Sequence, residues 1–499
     1  MSYLNDIHIL TLLILVPLMG ALVTFLSGKS AKLPKYLALA FSGVTLVFAT
    51  LLLLGFDLNQ FGLGQYQYKE TYEWIKSLGI TYTVGVDGIS ILMVWITALL
   101  CFLAILFSWD VEKRPGEYMG LMLVLEVGVM GVFMALDFFL FYVSWEVVLI
   151  PMFFLIAIWG GPRREYAAIK FFIYTHIASL VMLLAIFALY FQAGLHSFSM
   201  IDIASQAGAF PQDFQILVFL ALFFGFGVKM PVVPFHTWLP DAHVEAPTAG
   251  SVLLAGLLLK MGAYGIIRVA LPTVPQGAQQ LQWLIVLIAI LSILYGAFAS
   301  LAQRDLKKMV AFSSISHMGL VLLGIATFST MGIAAGVFQM FSHGLITAVL
   351  FMVCGVVQHK AGTREIDKLG GLAAKLPWFA TFMMIGFLAS LGLPGMVGFA
   401  AEFTIFFAAW SYLTWYVLFF AIASVAITAA YYIWAMQRSL FGPLTDRIDT
   451  SHLHDVNWYE AAPLAVLCAL IILFGLFPGP LFDFIRPAAG GIAHLFGVI

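Results

Sequence analysis

The chain has 499 residues, of which 63% are apolar and only 10% are Asp, Glu, Lys or Arg, and its formal charge is −2. A soluble domain carries about 25% charged residues, so a water-soluble fold of this length could not cover its surface. The weak acidity and the lack of a basic patch exclude a nucleic-acid binder. The composition instead fits an all-α polytopic membrane protein, with 46 Phe and 12 Trp suited to lipid-facing and interfacial positions.

A spanning helix needs about 20 mostly apolar residues. Fourteen runs qualify, at 7–26, 35–55, 88–108, 118–136, 138–159, 167–191, 214–240, 248–270, 281–301, 308–328, 331–358, 378–410, 412–440 and 461–484. They are numbered one to fourteen below. The polar interludes at 56–87, 192–213, 359–377 and 441–460 are too short to form a soluble domain. Met1–Asp6 has no basic region and no cleavage site follows it, so the first run reads as a retained helix. Cys101, Cys354 and Cys468 lie far apart in apolar runs, without the spacing of an iron–sulfur or zinc site.

Of the 23 lysines and arginines, 16 fall in the loops after odd-numbered runs, from Lys29, Lys32 and Lys35 to Arg438 and Arg447. Only Lys69, Lys76, Arg268 and Arg486 fall on the other side. This bias makes the odd loops cytoplasmic and puts both termini outside.

Helix six holds Ala168 and His176, and helix eleven holds Ala335 and His343 at the same spacing. Helices seven and twelve are both interrupted, at Pro231/Pro234 and at Pro394/Gly395. Each pair lies five helices apart, an odd offset that reverses orientation. Residues 118–270 and 281–440 are therefore expected to be inverted repeats, flanked by 1–108 and 461–499, in the manner of secondary transporters.

A charge at the bilayer centre costs about 2.5–3.5 kcal/mol on insertion scales, so each such residue needs a reason. Glu146 lies mid-run in FYVSWEVVLIPMFFLI, with only Ser144 polar beside it. Lys229 precedes the helix seven break in FFGFGVKMPVVPF, where proline frees carbonyls. Lys260 has about two apolar turns on each side in SVLLAGLLLKMGAYGIIR, too deep to snorkel. His317, His343 and Glu402 continue the series into the second half. Glu126, Lys170 and His176 are weaker candidates, each open to a structural reading. His236 and His243 flank the helix seven break in HTWLPDAHVE, a spacing that fits no zinc pattern and suits proton uptake better. Such a series is a proton relay, and no dinucleotide fingerprint or cysteine series accompanies it to carry electrons.

The segment KMPVVPFHTWLPDAHVEAPTAGSVLLAGLLLKMGAYGIIR at 229–268 closely resembles the signature of the antiporter-like membrane subunits of NADH:quinone oxidoreductase, complex I. Trp145–Glu146 and SSISHMG at 313–319 match the same family, and LGLPGMVGFAAEF at 391–403 resembles its M-type branch. That branch places a glutamate in helix twelve, where the L- and N-type relatives carry lysine. The resemblance implies that Glu146 and Lys229 form a pair. Lys260, His317 and His343 would continue the relay to a terminal Glu402. It further implies L- and N-type neighbours, with flavin (FMN), iron–sulfur clusters and quinone on partner subunits and no cofactor on this chain. A cation/proton antiporter subunit, or the equivalent pump subunit of an F420H2-, ferredoxin- or hydrogenase-linked complex, is the alternative. The implied location is a bacterial or archaeal cytoplasmic membrane, or a thylakoid membrane for a cyanobacterial relative.

Overall fold

Backbone amides in lipid must be satisfied within the protein, so the apolar runs fold as helices that bond internally. The computed structural model describes residues 7–27, 32–58, 64–449 and 453–498. Met1–Asp6 and Lys29 lie outside the described residues. Thirteen helices there are long and apolar enough to span a bilayer, the first being helix one, Ile9–Leu26. Helix twelve is the fourteenth span, divided into Pro377–Ser390 and Val397–Tyr412. Between its halves Gly392 and Gly395 take φ of +81° and +89°, which an L side chain resists, and Pro394 offers no N–H.

Helix seven runs from Gln212 to Lys229 and stops, because Pro231 and Pro234 cannot donate to the ladder. The chain then turns, with Val232 N–H bonded to the Gly227 carbonyl at 2.9 Å, and resumes as Trp238–Glu245. Helix five, Phe138–Trp159, is interrupted at Val148 beside Glu146, since Pro151 has no N–H for the Val147 carbonyl.

Three features depart from the sequence expectation. The interlude at 56–87 contains an antiparallel hairpin, β1 (Gln67–Ile75) and β2 (Ile80–Val86), turning at Gly79 with φ +68°. The last span ends at Leu476 rather than 484, because Pro478 and Pro480 stop it, and a separate helix follows at Gly479–His494. Helix eight, Thr248–Thr273, is not regular: Leu254–Leu258 and Ile266–Ala270 are π-helical, on either side of Lys260.

Helix eight is buried throughout its apolar window, and helices ten (Leu306–Ala326) and eleven (Thr330–Ala361) nearly so, while helices one, two, thirteen and fourteen present most of theirs outward. Gly262 lets helix eight approach the broken end of helix seven: a Cβ there would stand 2.5 Å from the Phe226 carbonyl oxygen and 2.6 Å from Met230 N. Helix eleven has 32 residues, roughly 48 Å at 1.5 Å per residue, more than the hydrocarbon thickness of about 30 Å that a span must cross.

The odd-numbered loops meet on one face. Lys35 Nζ donates to the Trp109 carbonyl at 2.7 Å, Gly161 N–H to the Glu245 carbonyl at 2.9 Å, and Lys307 Nζ to the Ala246 carbonyl at 2.6 Å. Arg364–Asp305 (3.2 Å), Arg438–Asp367 (2.8 Å) and Lys360–Glu460 (3.3 Å) close the set. The opposite face is tied by the hairpin: Leu136 N–H bonds the Thr83 carbonyl and Phe198 N–H the Gly79 carbonyl. Gly262→Val should therefore push helices seven and eight apart and lower the amount of assembled complex on a native gel, whereas Gly442→Ala, with open space but φ +87°, should cost about 1 kcal/mol and assemble.

Candidate functional site

The buried polar groups form two clusters joined by helix eight. In the second half the groups lie close together, with hydrogen bonds at either end, two neighbouring imidazole rings between them, and His343 Nε2 unbonded. Lys260 Nζ is held by the Ala255 carbonyl, in the first π segment, and by His343 Nδ1 at 2.7 Å. The His343 and His317 ring centroids are 5.6 Å apart. His317 Nδ1 meets Glu402 Oε1 at 3.0 Å, and its Nε2 meets Ser390 Oγ at 3.3 Å. Ser390 Oγ donates to Tyr432 OH (2.9 Å), and that hydroxyl donates to Ser313 Oγ (2.9 Å). Glu402 Oε1 also accepts from Gln339 Nε2 at 3.4 Å, and its Oε2 lies 3.2 Å from where a Cβ on Gly392 would stand. The break in helix twelve thus lies beside the carboxylate, with a residue that has no Cβ facing it.

The first half is looser. Glu146 Oε2 pairs with His176 Nδ1 at 3.1 Å, and its Oε1 has no partner. Lys229 Nζ is buried without a hydrogen-bond acceptor and stands over the Trp145 ring (5.3 Å) and the Phe171 ring (5.8 Å). Glu146 and Lys229, the pair implied by the family resemblance, are therefore not in ion-pair contact in this conformation. A buried polar group left unbonded costs about 1–3 kcal/mol, more when charged, so Lys229 gains by moving towards an acceptor. Ring faces supply only part of that stabilisation.

The other candidates are placed as follows. His243 is stacked on Phe351 (4.4 Å, 12°) with both ring nitrogens unbonded, and His236 packs edge-on to Tyr295 at 4.7 Å. Between them Asp241 pairs with Lys170 at 2.7 Å, and just past His243 Glu245 accepts from Arg163 N at 2.9 Å. Glu126 is fully buried and neither carboxylate oxygen has a partner, so no hydrogen bond or ion pair joins it to the row. Pro231, Pro234, Pro394 and Gly395 stand at the helix breaks. Among the described residues no group of three His, Cys, Asp or Glu is placed to hold a metal ion. The sequence reading missed Gln339, Ser390 and Tyr432. It weighed only groups that carry charge, and uncharged donors in an apolar run leave the same trace as packing residues.

A bundle of fourteen spans with two broken helices and a buried titratable row defines the antiporter-like class of multi-pass membrane proteins. Residues 135–428 match the family described as NADH:quinone oxidoreductase/Mrp antiporter, transmembrane, and the chain belongs to that family. It is 44% identical to F420H2 dehydrogenase subunit M of Methanosarcina mazei, over 95% of each chain. It is 41% identical to NADH-quinone oxidoreductase subunit M of Rhodobacter capsulatus, over 98% of this chain and 96% of that one. The structure superposes on a chain of respiratory complex I from Thermus thermophilus with TM-score 0.89 and 30% identity, covering 98% of this chain and all of that one.

Because His317 touches both Glu402 and Ser390, His317→Ala should lower coupled turnover by about a hundredfold or more, the scale of one lost proton-transfer group. Ser390→Ala should cost less. Both are read as quinone reduction rate in assembled complexes.

Proposed function

We propose that this chain is a proton-translocating membrane-arm subunit of a complex of the NADH:quinone oxidoreductase type. It moves protons along Glu146, Lys229, Lys260, His343, His317 and Glu402, with His236 and His243 at uptake and Glu126 in a secondary role. The observation that carries this reading is the buried row from Lys260 through His343 and His317 to Glu402, hydrogen-bonded at both ends with the two imidazole rings packed against each other between them. Each group in it can hold or release a proton, and each is buried. The looser first half supports a switching role: Glu146 bonded to His176 and Lys229 unbonded is one state, and a Glu146–Lys229 pair is the other. Exchange between the two changes whether Lys229 holds its proton.

In this reading 118–270 and 281–440 are inverted repeats, supported by the two broken helices five spans apart. The redox chemistry (FMN, iron–sulfur clusters and quinone) belongs to partner subunits, and L- and N-type chains flank this one in the membrane. The lysine-rich loop face is cytoplasmic and both termini are outside, in a cytoplasmic membrane. The 44% identity to an F420H2 dehydrogenase subunit favours, as a second reading, the same pump driven by F420H2. Co-purification with a donor-oxidising arm and assay with NADH or F420H2 separates the two.

The test is coupled turnover of the purified complex in proteoliposomes. Glu146→Gln and Lys229→Ala should assemble and lose most of both donor oxidation and proton uptake. Normal pumping by assembled variants would overturn the proposed role of the pair.

A further inference from the structure

A second charged cluster lies inside the protein at the other end of helix eight. Arg268, 5% exposed, sits in the second π segment. Its Nη2 donates to Asp87 Oδ2 at 2.5 Å, its Nη1 to Tyr66 OH at 3.0 Å and its Nε to Tyr264 OH at 3.2 Å. Tyr264 OH donates to the Phe133 carbonyl at 3.0 Å. Asp87 Oδ1 accepts from the N–H groups of Ile89 and Ser90, both at 3.0 Å, at the start of helix three (Ser90–Phe107).

Lys260, Tyr264 and Arg268 succeed one another every four residues, so they share a face. Eight residues carry that face about 12 Å along the axis, from the middle of the bundle to the hairpin side. There a cavity of about 550 Å³ is lined by Tyr66, Ser205, Arg268, Gln276, Gln279 and Leu495, among others, but not by Asp87. Arg268 thus touches both the Asp87 carboxylate and the cavity. The face is opposite the one on which the lysine-rich loops meet.

We propose that Asp87 is the outward proton acceptor of this chain and that Arg268 is its gate. The proposal rests on reading the titratable row as a proton route. The Lys260 Nζ–H bond breaks and, through intervening water, an Asp87 Oδ–H bond forms. Neutralising Asp87 releases Nη2, while Tyr66 and Tyr264 keep Arg268 in place. The Asp87 Oδ–H bond then breaks, the proton passes to water in the cavity, and the ion pair re-forms behind it. No electrons move. The re-formed pair blocks return from outside.

The test uses the intact complex in proteoliposomes, with its own electron donor for pumping and an imposed pH gradient without donor for leak. Asp87→Asn should eject fewer protons per quinone reduced. Arg268→Gln should raise the passive leak several-fold, and adding Lys260→Ala should return the leak to the wild-type rate. Ser205→Trp, at an exposed position on the cavity wall, should slow proton release without affecting assembly. Wild-type stoichiometry in Asp87→Asn and a wild-type release rate in Ser205→Trp, with wild-type leak in Arg268→Gln, would overturn the proposal. Should the first two variants fail to assemble, Ser205→Trp decides alone: a slower release supports the gate, and normal pumping overturns it. Glu146→Gln in the same preparation separates the two readings. If it too pumps normally, the relay itself falls; if it alone loses pumping, only the gate does.

Discussion

The constraint on which the bundle depends is the desolvation of Lys260. An ammonium at that depth is cut off from bulk solvent, and the helices around it give it acceptors. The first π segment turns the Ala255 carbonyl towards it, and helix eleven supplies His343 Nδ1. In a regular α-helix each carbonyl is committed to the residue four on, whereas the Ala255 carbonyl lies in the π segment and takes the ammonium. Helix eight can deviate only because it is buried throughout and nothing in lipid sees its irregular backbone. The outer spans provide that cover, which is why they are apolar on almost every side.

The two halves hold their carboxylates differently, and the difference follows from where the backbone breaks. Glu402 sits beyond the glycine-rich gap in helix twelve, is nearly buried, and is bonded by both His317 and Gln339. Glu146 sits at a proline-induced interruption in helix five, with one oxygen on a half-exposed His176 and the other unbonded. Among the carboxylates and lysines of the row, spare hydrogen-bonding capacity lies in the first half, at Glu146 Oε1 and Lys229 Nζ. A firmly bonded site holds its geometry; a sparsely bonded one is free to exchange partners. The similar spacing of His176 and His343 thus serves different ends: one histidine faces a carboxylate, the other an ammonium.

Much of this was legible in the sequence, for a physical reason. Charge in an apolar run is so costly that Glu146, Lys229, Lys260 and Glu402 announce themselves, and proline marks the breaks at 231, 234 and 394 without ambiguity. The loop charges sort the faces, and the structure ties those loops together through Lys35, Lys307 and Arg364. The hairpin at 67–86 was not legible as membrane architecture, since it is a short polar excursion read against a long apolar background. The end of helix fourteen was misplaced because Pro478 lies in a stretch as apolar as the helix before it. Gln339, Ser390 and Tyr432 escaped because their importance lies in which atoms they meet across helices, and sequence spacing within one helix carries no record of that.

The irregularity of helix eight has a mechanical corollary. A π turn holds one residue more than the α-helical turn it replaces, so it behaves like a surplus residue that can be passed along the rod. Lys260 stands on a seven-residue stretch, Leu259–Gly265, with such a surplus at each end. Shifting one of them past the lysine would swing its side chain by about 100° around the axis while leaving both ends of the helix anchored. The segment is thus built as a swivel. The direction in which its ammonium points, towards helix eleven or towards the broken end of helix seven, can change without moving any loop on either face.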